Sequence, residues 1–174
     1  SIPNPMGPSS MIAPFMDDLD DNDGTEPFDV YYYNDVQNNR LIIEWDNVSN
    51  GEDDQNCPNC IKESFQVILL DPDYYPTSTG DGEIIFQYKE INDIDANGNF
   101  STIGIEHPDQ NFGYQYQFRN ISYGSQLVEN EMAILFTASS IVEGCTDSMA
   151  CNYSTFANID NGLCEYPSGC DYTC

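Results

Sequence analysis

The segment Leu41-Ile-Ile-Glu-Trp45 carries an apolar side chain at every second position. This period of two predicts a β-strand with one buried face, because successive side chains of a strand point to opposite sides. The same period returns in Phe65-Gln-Val-Ile-Leu69 and in Ile84-Ile-Phe-Gln-Tyr88, whereas no stretch of the sequence sustains a helical period. The sequence therefore indicates an all-β chain.

Segments of this kind recur along the chain and are separated by turn residues such as Asn34-Asp35, Asn50-Gly51 and Asn97-Gly98. Their spacing is typical of an antiparallel β-sandwich of about eight strands. We predict a linker or arm over residues 1–10, the β-sandwich over residues 11–140, and a small disulfide-rich module over residues 141–174. The predicted strands are 11–15, 29–33, 40–45, 64–70, 83–90, 101–106, 113–118 and 132–137.

Net charge limits the classes of partner. The chain has 30 Asp and Glu residues against four Lys and Arg, a formal net charge of −26. Nucleic acids and anionic membrane surfaces need clustered basic residues, so we exclude nucleic-acid binding. The sequence also has no apolar run that could insert into a membrane and no signal-peptide pattern, and we expect Ser1 to begin a fragment of a larger precursor. Uncompensated carboxylates do attract divalent cations, and Ca²⁺ prefers such oxygen ligands.

Three acidic stretches are candidate sites for structural Ca²⁺. The stretch 17–24 concentrates five carboxylates, with a solvated acidic loop as the alternative. The stretch 93–98 places alternate oxygen ligands before a glycine, with an Asn-Gly hairpin turn as the alternative. A third set surrounds the C-terminal cysteines. The predicted ligands are Asp17, Asp18, Asp20, Asp21, Asp23, Asp93, Asp95, Asn97, Asp147, Asp160 and Glu165.

Seven cysteines accompany a single histidine, His107. Because a zinc site would normally recruit more histidine, we interpret the cysteines as disulfides formed in an oxidising compartment, outside the cell or at its surface. The motif Cys57-Pro-Asn-Cys60 favours a loop-closing disulfide, with half of a zinc knuckle or a redox pair as alternatives. The odd number leaves at least one cysteine without a partner in this chain. The predicted disulfide cysteines are Cys57, Cys60, Cys145, Cys151, Cys164, Cys170 and Cys174.

Catalytic motifs are not evident in the sequence. His107 stands in Glu106-His-Pro108, which is typical of a turn, and there is no phosphate-binding glycine loop and no H-E-x-x-H motif. Carboxylates are too abundant for any pair of them to indicate a glycosidase. We therefore expect a protein that is not an enzyme.

Tyrosine is frequent, and Tyr31-Tyr-Tyr33 and Tyr74-Tyr75 could stack on sugar rings. In a strand, however, Tyr32 points away from the face that carries its two tyrosine neighbours. At least one of the three is therefore expected in the core.

Several of these segments resemble the β-sandwich modules, related to nidogen-like domains, of large secreted proteins of Bacteroidota. The resemblance spans about residues 10–138 and is carried by segments 11–20, 29–33, 41–48, 65–70, 82–88 and 102–106. The stretches Gly144-Cys-Thr-Asp-Ser-Met-Ala-Cys-Asn-Tyr153 and Asp160-Asn-Gly-Leu-Cys-Glu165 are similar to a Cys-rich repeat of the same proteins. The resemblance implies a non-catalytic module of an adhesin-like protein or protease exported by the type IX system. It also makes Ser148, between Asp147 and Met149, a candidate O-glycosylation site.

These observations lead to one preferred function and two alternatives. The preferred function is a Ca²⁺-stabilised, non-enzymatic extracellular module that spaces, anchors or displays parts of a larger protein. Its expected partners are neighbouring modules of the same chain or of identical chains. The first alternative is a subunit of an extracellular filament or sheath, in which residues 1–10 pair with a neighbour's sheet edge. The second is a carbohydrate-binding module, with glycans as partners.

Overall fold

β-Strands form the regular secondary structure of this computed structural model, which describes residues 2–4, 6–20, 29–50, 62–91, 101–118, 121–124, 126–138, 141–154 and 157–167, with Asp20 described for its backbone alone. Twelve strands and no helix occur within those ranges. The strands are β1 (Ile12–Met16), β2 (Leu19–Asp20), β3 (Asp29–Asp35), β4 (Arg40–Asn50), β5 (Glu63–Leu70), β6 (Ile84–Glu90), β7 (Thr102–Glu106), β8 (Gly113–Phe118), β9 (Ile121–Ser122), β10 (Met132–Phe136), β11 (Glu143–Gly144) and β12 (Ile159–Asp160).

Two antiparallel sheets pack as a sandwich, which confirms the predicted all-β fold. The small sheet has four strands in the order β1-β7-β8-β9. The large sheet has six strands and begins β10-β6-β5-β4. Both β2 and β3 pair with the remaining edge of β4. Strand β2 pairs with the C-terminal end of β4, and β3 pairs with its N-terminal half.

The core lies between the two sheets and is rich in aromatic side chains. The ring centroid of Phe65 on β5 lies 5.7 Å from that of Phe15, 5.1 Å from that of Trp45 and 6.4 Å from that of Tyr88. The buried core residues Phe65 and Val67 of β5, and Phe86 and Tyr88 of β6, are among the alternating apolar positions from which the strands were predicted. Alternation therefore selected the core face of the large sheet correctly.

Strand β4 is longer than its predicted range because it contains a bulge. Trp45 pairs with Phe65, and Val48 pairs with Glu63. Between these two pairs, β4 therefore contains one residue more than β5. Asn47 in the bulge has a φ of 54°, a left-handed conformation that Asn tolerates better than most residues. Past the bulge, the strand continues to Asn50 and pairs with β2.

The N-terminal residues, predicted as a linker or an arm, lie against the outer surface of the small sheet. Ile2 is only 5% exposed. It fills a hollow over two glycines, since a Cβ atom at Gly113 would lie 2.7 Å from Ile2 Cγ2 and one at Gly104 would lie 3.1 Å from Ile2 Cδ1. The backbone N–H of Ile2 donates to Gln115 Oε1 at 2.9 Å, and that of Asn4 donates to Glu106 Oε2 at 2.9 Å. The segment therefore covers the sheet of its own chain.

The C-terminal region has a different construction, with little regular structure. Strands β11 and β12 pair in parallel, and the Cys145–Cys164 disulfide joins the segments around them. Cys151 is disulfide-bonded as well. The predicted disulfide character of this region is thus confirmed, while Cys57, Cys60, Cys170 and Cys174 lie outside the described residues.

Replacing Tyr88 by Phe should lower the stability of the sandwich. The Tyr88 hydroxyl donates to the backbone oxygen of Pro14 at 2.7 Å in a buried position, which ties the large sheet to β1. Burial also raises the pKa of Tyr88 above its ordinary value, so the hydroxyl stays protonated. Loss of the donor leaves a buried carbonyl unpaired and should cost about 1–3 kcal/mol in the free energy of unfolding, measured in urea. Tyr74→Phe, at an exposed position, is the control. Equal stability of the two variants would contradict a stabilising role for the hydrogen bond between Tyr88 and Pro14.

Candidate functional site

The acidic stretch that begins at Asp17 follows β1 at one end of the sandwich. Asn50 Nδ2 donates to Asp17 Oδ2 at 3.0 Å, and the backbone N–H of Asp18 donates to Asp17 Oδ1 at 2.9 Å. Burial nevertheless raises the pKa of Asp17, because desolvation of its charged form outweighs these hydrogen bonds. Asp18 is exposed, Asp20 is described as backbone in β2, and Asp21 and Asp23 lie outside the described residues. Asp17 is thus a carboxylate whose ionised form a nearby cation would stabilise.

The other two predicted cation stretches differ in how much of them is described. Asp93, Asp95 and Asn97 lie outside the described residues. Asp147 is engaged within the protein, because Met149 N–H donates to its Oδ1 and the Tyr166 hydroxyl donates to its Oδ2, each at 2.9 Å. These two bonds, the Met149 N–H foremost, lower the pKa of Asp147.

The remaining tail ligands also make local contacts. Asp160 Oδ1 accepts from Gly162 N–H at 2.9 Å, and the backbone N–H of Glu165 donates to Asn152 Oδ1 at 2.8 Å. Ser148, the candidate glycosylation site, is exposed in the turn that Asp147 closes. Within the described ranges, no group of three or more His, Cys, Asp or Glu side chains could hold a metal ion. The Ca²⁺ sites stay a prediction.

His107 is part of an exposed turn. Its Nδ1 lies 2.9 Å from Asp109 Oδ1, and its backbone oxygen accepts from Gln110 N–H at 3.0 Å. The pKa of Asp109 is lowered, first by the N–H of Asn111 and then by His107. These contacts stabilise the turn between β7 and β8, as is usual for Asx-type hydrogen bonds.

The tyrosines of β3 alternate as predicted, but the expectation that one of them is in the core is wrong. Tyr31, Tyr32 and Tyr33 are 53%, 81% and 62% exposed. The reason is the offset of the two sheets. Strand β1, at the edge of the small sheet, lies over β5 of the large sheet, and β3 is separated from β5 by β4. The small sheet therefore does not cover β3. Tyr32 points to the face of the large sheet that is buried in β5 and β6, but at β3 this face is open to solvent. Tyr74 and Tyr75 lie in the turn after β5, where the Tyr75 hydroxyl donates to Asn38 O at 2.8 Å.

The outer face of the large sheet, turned away from the small sheet, carries two parallel rows of side chains that cross five strands. We call them the apolar row and the polar row. The apolar row consists of Tyr33, Ile42, Ile68, Ile85 and Leu135, each paired with the next. The polar row consists of Tyr31, Glu44, Gln66, Gln87 and Ala133, paired in the same way.

A groove of about 320 Å³ opens along the polar row. Its lining includes the small residues Ala133 and Ser64 and the long side chains of Lys89 and Glu131. Inside the groove, the side-chain amide of Gln66 donates to Gln87 Oε1. Sequence reasoning missed this groove because the period of two named only the core face. A signal was present only for the apolar row, in the isoleucines at positions 42, 68 and 85, each of which stands between two core-facing residues.

No known protein family, curated protein or solved structure matches this chain. The resemblance to nidogen-like modules and to a Cys-rich repeat therefore stays a prediction. In the described part of the chain, no helix has the length and apolar character needed to cross a bilayer.

Replacing Cys145 and Cys164 together by Ser should unfold the C-terminal region and leave the sandwich folded. The disulfide closes a loop with a sequence separation of 19, and such a cross-link is worth about 3 kcal/mol through the entropy of the unfolded chain. Hydrogen exchange read by mass spectrometry should show loss of protection over residues 141–167 and unchanged protection in β5 and β6. Tyr166→Phe, which removes one hydrogen bond to Asp147, is the milder comparison. Equal protection of residues 141–167 in the double variant and the parent would show that the disulfide is dispensable there.

Proposed function

We propose that this chain is a non-enzymatic extracellular or cell-surface module, stabilised by Ca²⁺, that spaces, anchors or displays parts of a larger protein. The observation that carries the proposal is the Cys145–Cys164 disulfide. Disulfides persist in oxidising compartments and are rare in the cytosol, so a region that depends on one belongs outside the cell. Neighbouring modules of the same chain or of identical chains are its expected partners.

The construction of the chain suits a spacing role. The sandwich has an aromatic core, and we expect it to fold without a cross-link. The C-terminal region is held by a disulfide and by turn hydrogen bonds such as Ala150 N–H to Asp147 O at 3.0 Å. A small region without a large core is commonly stabilised by such cross-links in secreted proteins. We expect such a unit to resist extension and proteolysis.

Electrostatics support the Ca²⁺ part of the proposal. A net charge of −26 destabilises a compact chain by self-repulsion. Asp17 concentrates that cost, because its partly buried carboxylate precedes Asp18, Asp20, Asp21 and Asp23 in the sequence. A bound Ca²⁺ would neutralise several of these charges at once and would accept carboxylate and amide oxygens as ligands.

Thermal unfolding in Ca²⁺ and in EGTA tests this part of the proposal. For the parent chain, millimolar Ca²⁺ should raise the unfolding midpoint, because a ligand that binds only the folded state stabilises it by mass action. Asp17→Asn should lose much of that rise. Asp73→Asn removes the same charge from an exposed turn and should keep the rise. An unchanged midpoint in the parent would refute Ca²⁺ stabilisation and leave the disulfide argument standing.

The pH dependence in EGTA provides a separate measurement on Asp17. A carboxyl group whose folded pKa is raised contributes stability below its unfolded pKa, and that contribution is lost as the pH rises through the folded value. Between the ordinary pKa of Asp and neutral pH, the parent should therefore lose stability relative to Asp17→Asn. The gap between the two chains should close when Ca²⁺ is added. A gap that does not depend on pH would contradict burial as the cause.

A filament or sheath subunit is the second candidate, and the position of Ile2 favours it. Ile2 fills a hollow that a distant part of the chain provides, as an exchangeable arm would fill the same hollow in a neighbour. Exchange of an identical element between copies makes no new contact and is therefore a low-cost route to assembly.

Ile2→Ser should abolish an assembly of this kind, because the serine side chain cannot fill the hollow. Sedimentation and electron microscopy of the parent would show oligomers or filaments, and the variant would be monomeric. Met6→Ser is the control, since Met6 is 94% exposed. A parent that stays monomeric up to high concentration would exclude arm exchange in favour of the spacing module.

A further inference from the structure

We propose that the outer face of the large sheet binds a neutral polysaccharide chain that lies across the strands along the polar row and the apolar row. The proposal rests on the two rows and on the groove, which runs along the polar row on the side turned away from the apolar row. It does not depend on Ca²⁺ or on the disulfide.

The polar row offers the hydrogen-bonding groups that sugar hydroxyls need. The bond from the Gln66 amide to Gln87 Oε1 orients both side chains and leaves the Gln66 oxygen as an acceptor and the Gln87 nitrogen as a donor. Glu44 on one side adds acceptor oxygens, and Lys89 on the other adds donors. Each sugar hydroxyl both donates and accepts, so this mixture suits a polyhydroxylated ligand.

The apolar row is accessible at its two ends, whereas Ile68 at its centre is only 4% exposed. The ends of this row and the tyrosines offer the complementary surface. Tyr31 and Tyr33 lie on this face and are 53% and 62% exposed, and Leu135 at the opposite edge is 53% exposed. Sugar rings present C–H groups that pack on aromatic and aliphatic surfaces. The rows are two residues apart along each strand, which is about 7 Å, so one ribbon of sugar rings can contact both.

The length of the face favours a chain over a single sugar. Each row crosses five strands, and the distance between the outer two is about 19 Å at the usual spacing of strands. A length of this order accommodates several linked sugar rings. The groove is open along its sides, as a site for the interior of a polymer must be.

Charge selects a neutral polymer over the other possible occupants. The groove contains Glu44 and Glu131 as well as Lys89, so a polyanion would meet carboxylates inside it. A second copy of this chain would bring a net charge of −26 to a face that already carries these two carboxylates. Like charges placed together in an interface oppose association. An uncharged, hydroxyl-rich polymer avoids both penalties.

Native affinity electrophoresis of the full chain tests the proposal. The gels contain soluble neutral polysaccharides of different linkage, namely mixed-linkage β-glucan, xyloglucan, glucomannan and dextran, with alginate as the polyanion arm. At least one neutral polymer should retard the parent chain, and alginate should not. Absence of retardation by all four neutral polymers would overturn the proposal, and so would retardation by alginate alone.

Two variants and one matched control identify the site. Tyr31→Ala should weaken binding about tenfold, since it removes one stacking ring at the end of the polar row. Ala133→Met should weaken it as well, because it fills the groove without removing a contact. Tyr123→Ala removes an equally accessible ring, 57% exposed and adjacent to the small sheet, and should bind like the parent. Thermal unfolding of each chain verifies that it is folded.

The remaining outcomes also decide the question. Equal weakening by Tyr31→Ala and Tyr123→Ala would overturn the proposal, because it would mean diffuse binding. Self-association of the parent that Ala133→Met abolishes, without retention in any neutral gel, would assign the face to a protein interface and would overturn it too. Retention that Ala133→Met abolishes and Tyr123→Ala preserves supports the assignment even if Tyr31→Ala fails to fold.

Discussion

Aromatic packing between the two sheets is the constraint on which the other features of the structure depend. Phe65 contacts Phe15, Trp45 and Tyr88, and this contact sets β1 of the small sheet over β5 of the large one. With that alignment fixed, the small sheet cannot extend over β3. The outer strand of the large sheet is left with solvent on both faces, which explains why neighbouring residues of opposite orientation, such as Tyr32 and Tyr33, are both exposed.

The strands of the sandwich were predictable from the alternation of apolar and polar residues, because a strand that is buried on one face needs an apolar side chain at every second position. Strand β5, expected over residues 64–70, runs over Glu63–Leu70, and β8 has its predicted bounds. The two-residue strands β2 and β9 were missed because two residues cannot show a period. The extension of β4 was missed because the bulge at Asn47 shifts the phase of the alternation.

The candidate site was less accessible to sequence reasoning, because it is made of contacts between strands distant in the chain. Tyr31 was singled out for its chemistry, but its row partners Glu44, Gln66 and Gln87 could be placed beside it only when the pairing register was known. The apolar row was hidden among core residues that are adjacent in sequence. The docking of Ile2 depends on two glycines more than 100 positions away, which no local pattern indicates.

The Cys145–Cys164 disulfide also determines how the chain carries tension. A force that pulls on the backbone on either side of this region passes directly from Cys145 to Cys164 through the sulfur atoms. The disulfide joins residues with a sequence separation of 19, so it prevents about 60 Å of chain from extending under load until it is reduced. The disulfide therefore limits how far the chain between Cys145 and Cys164 can be extended.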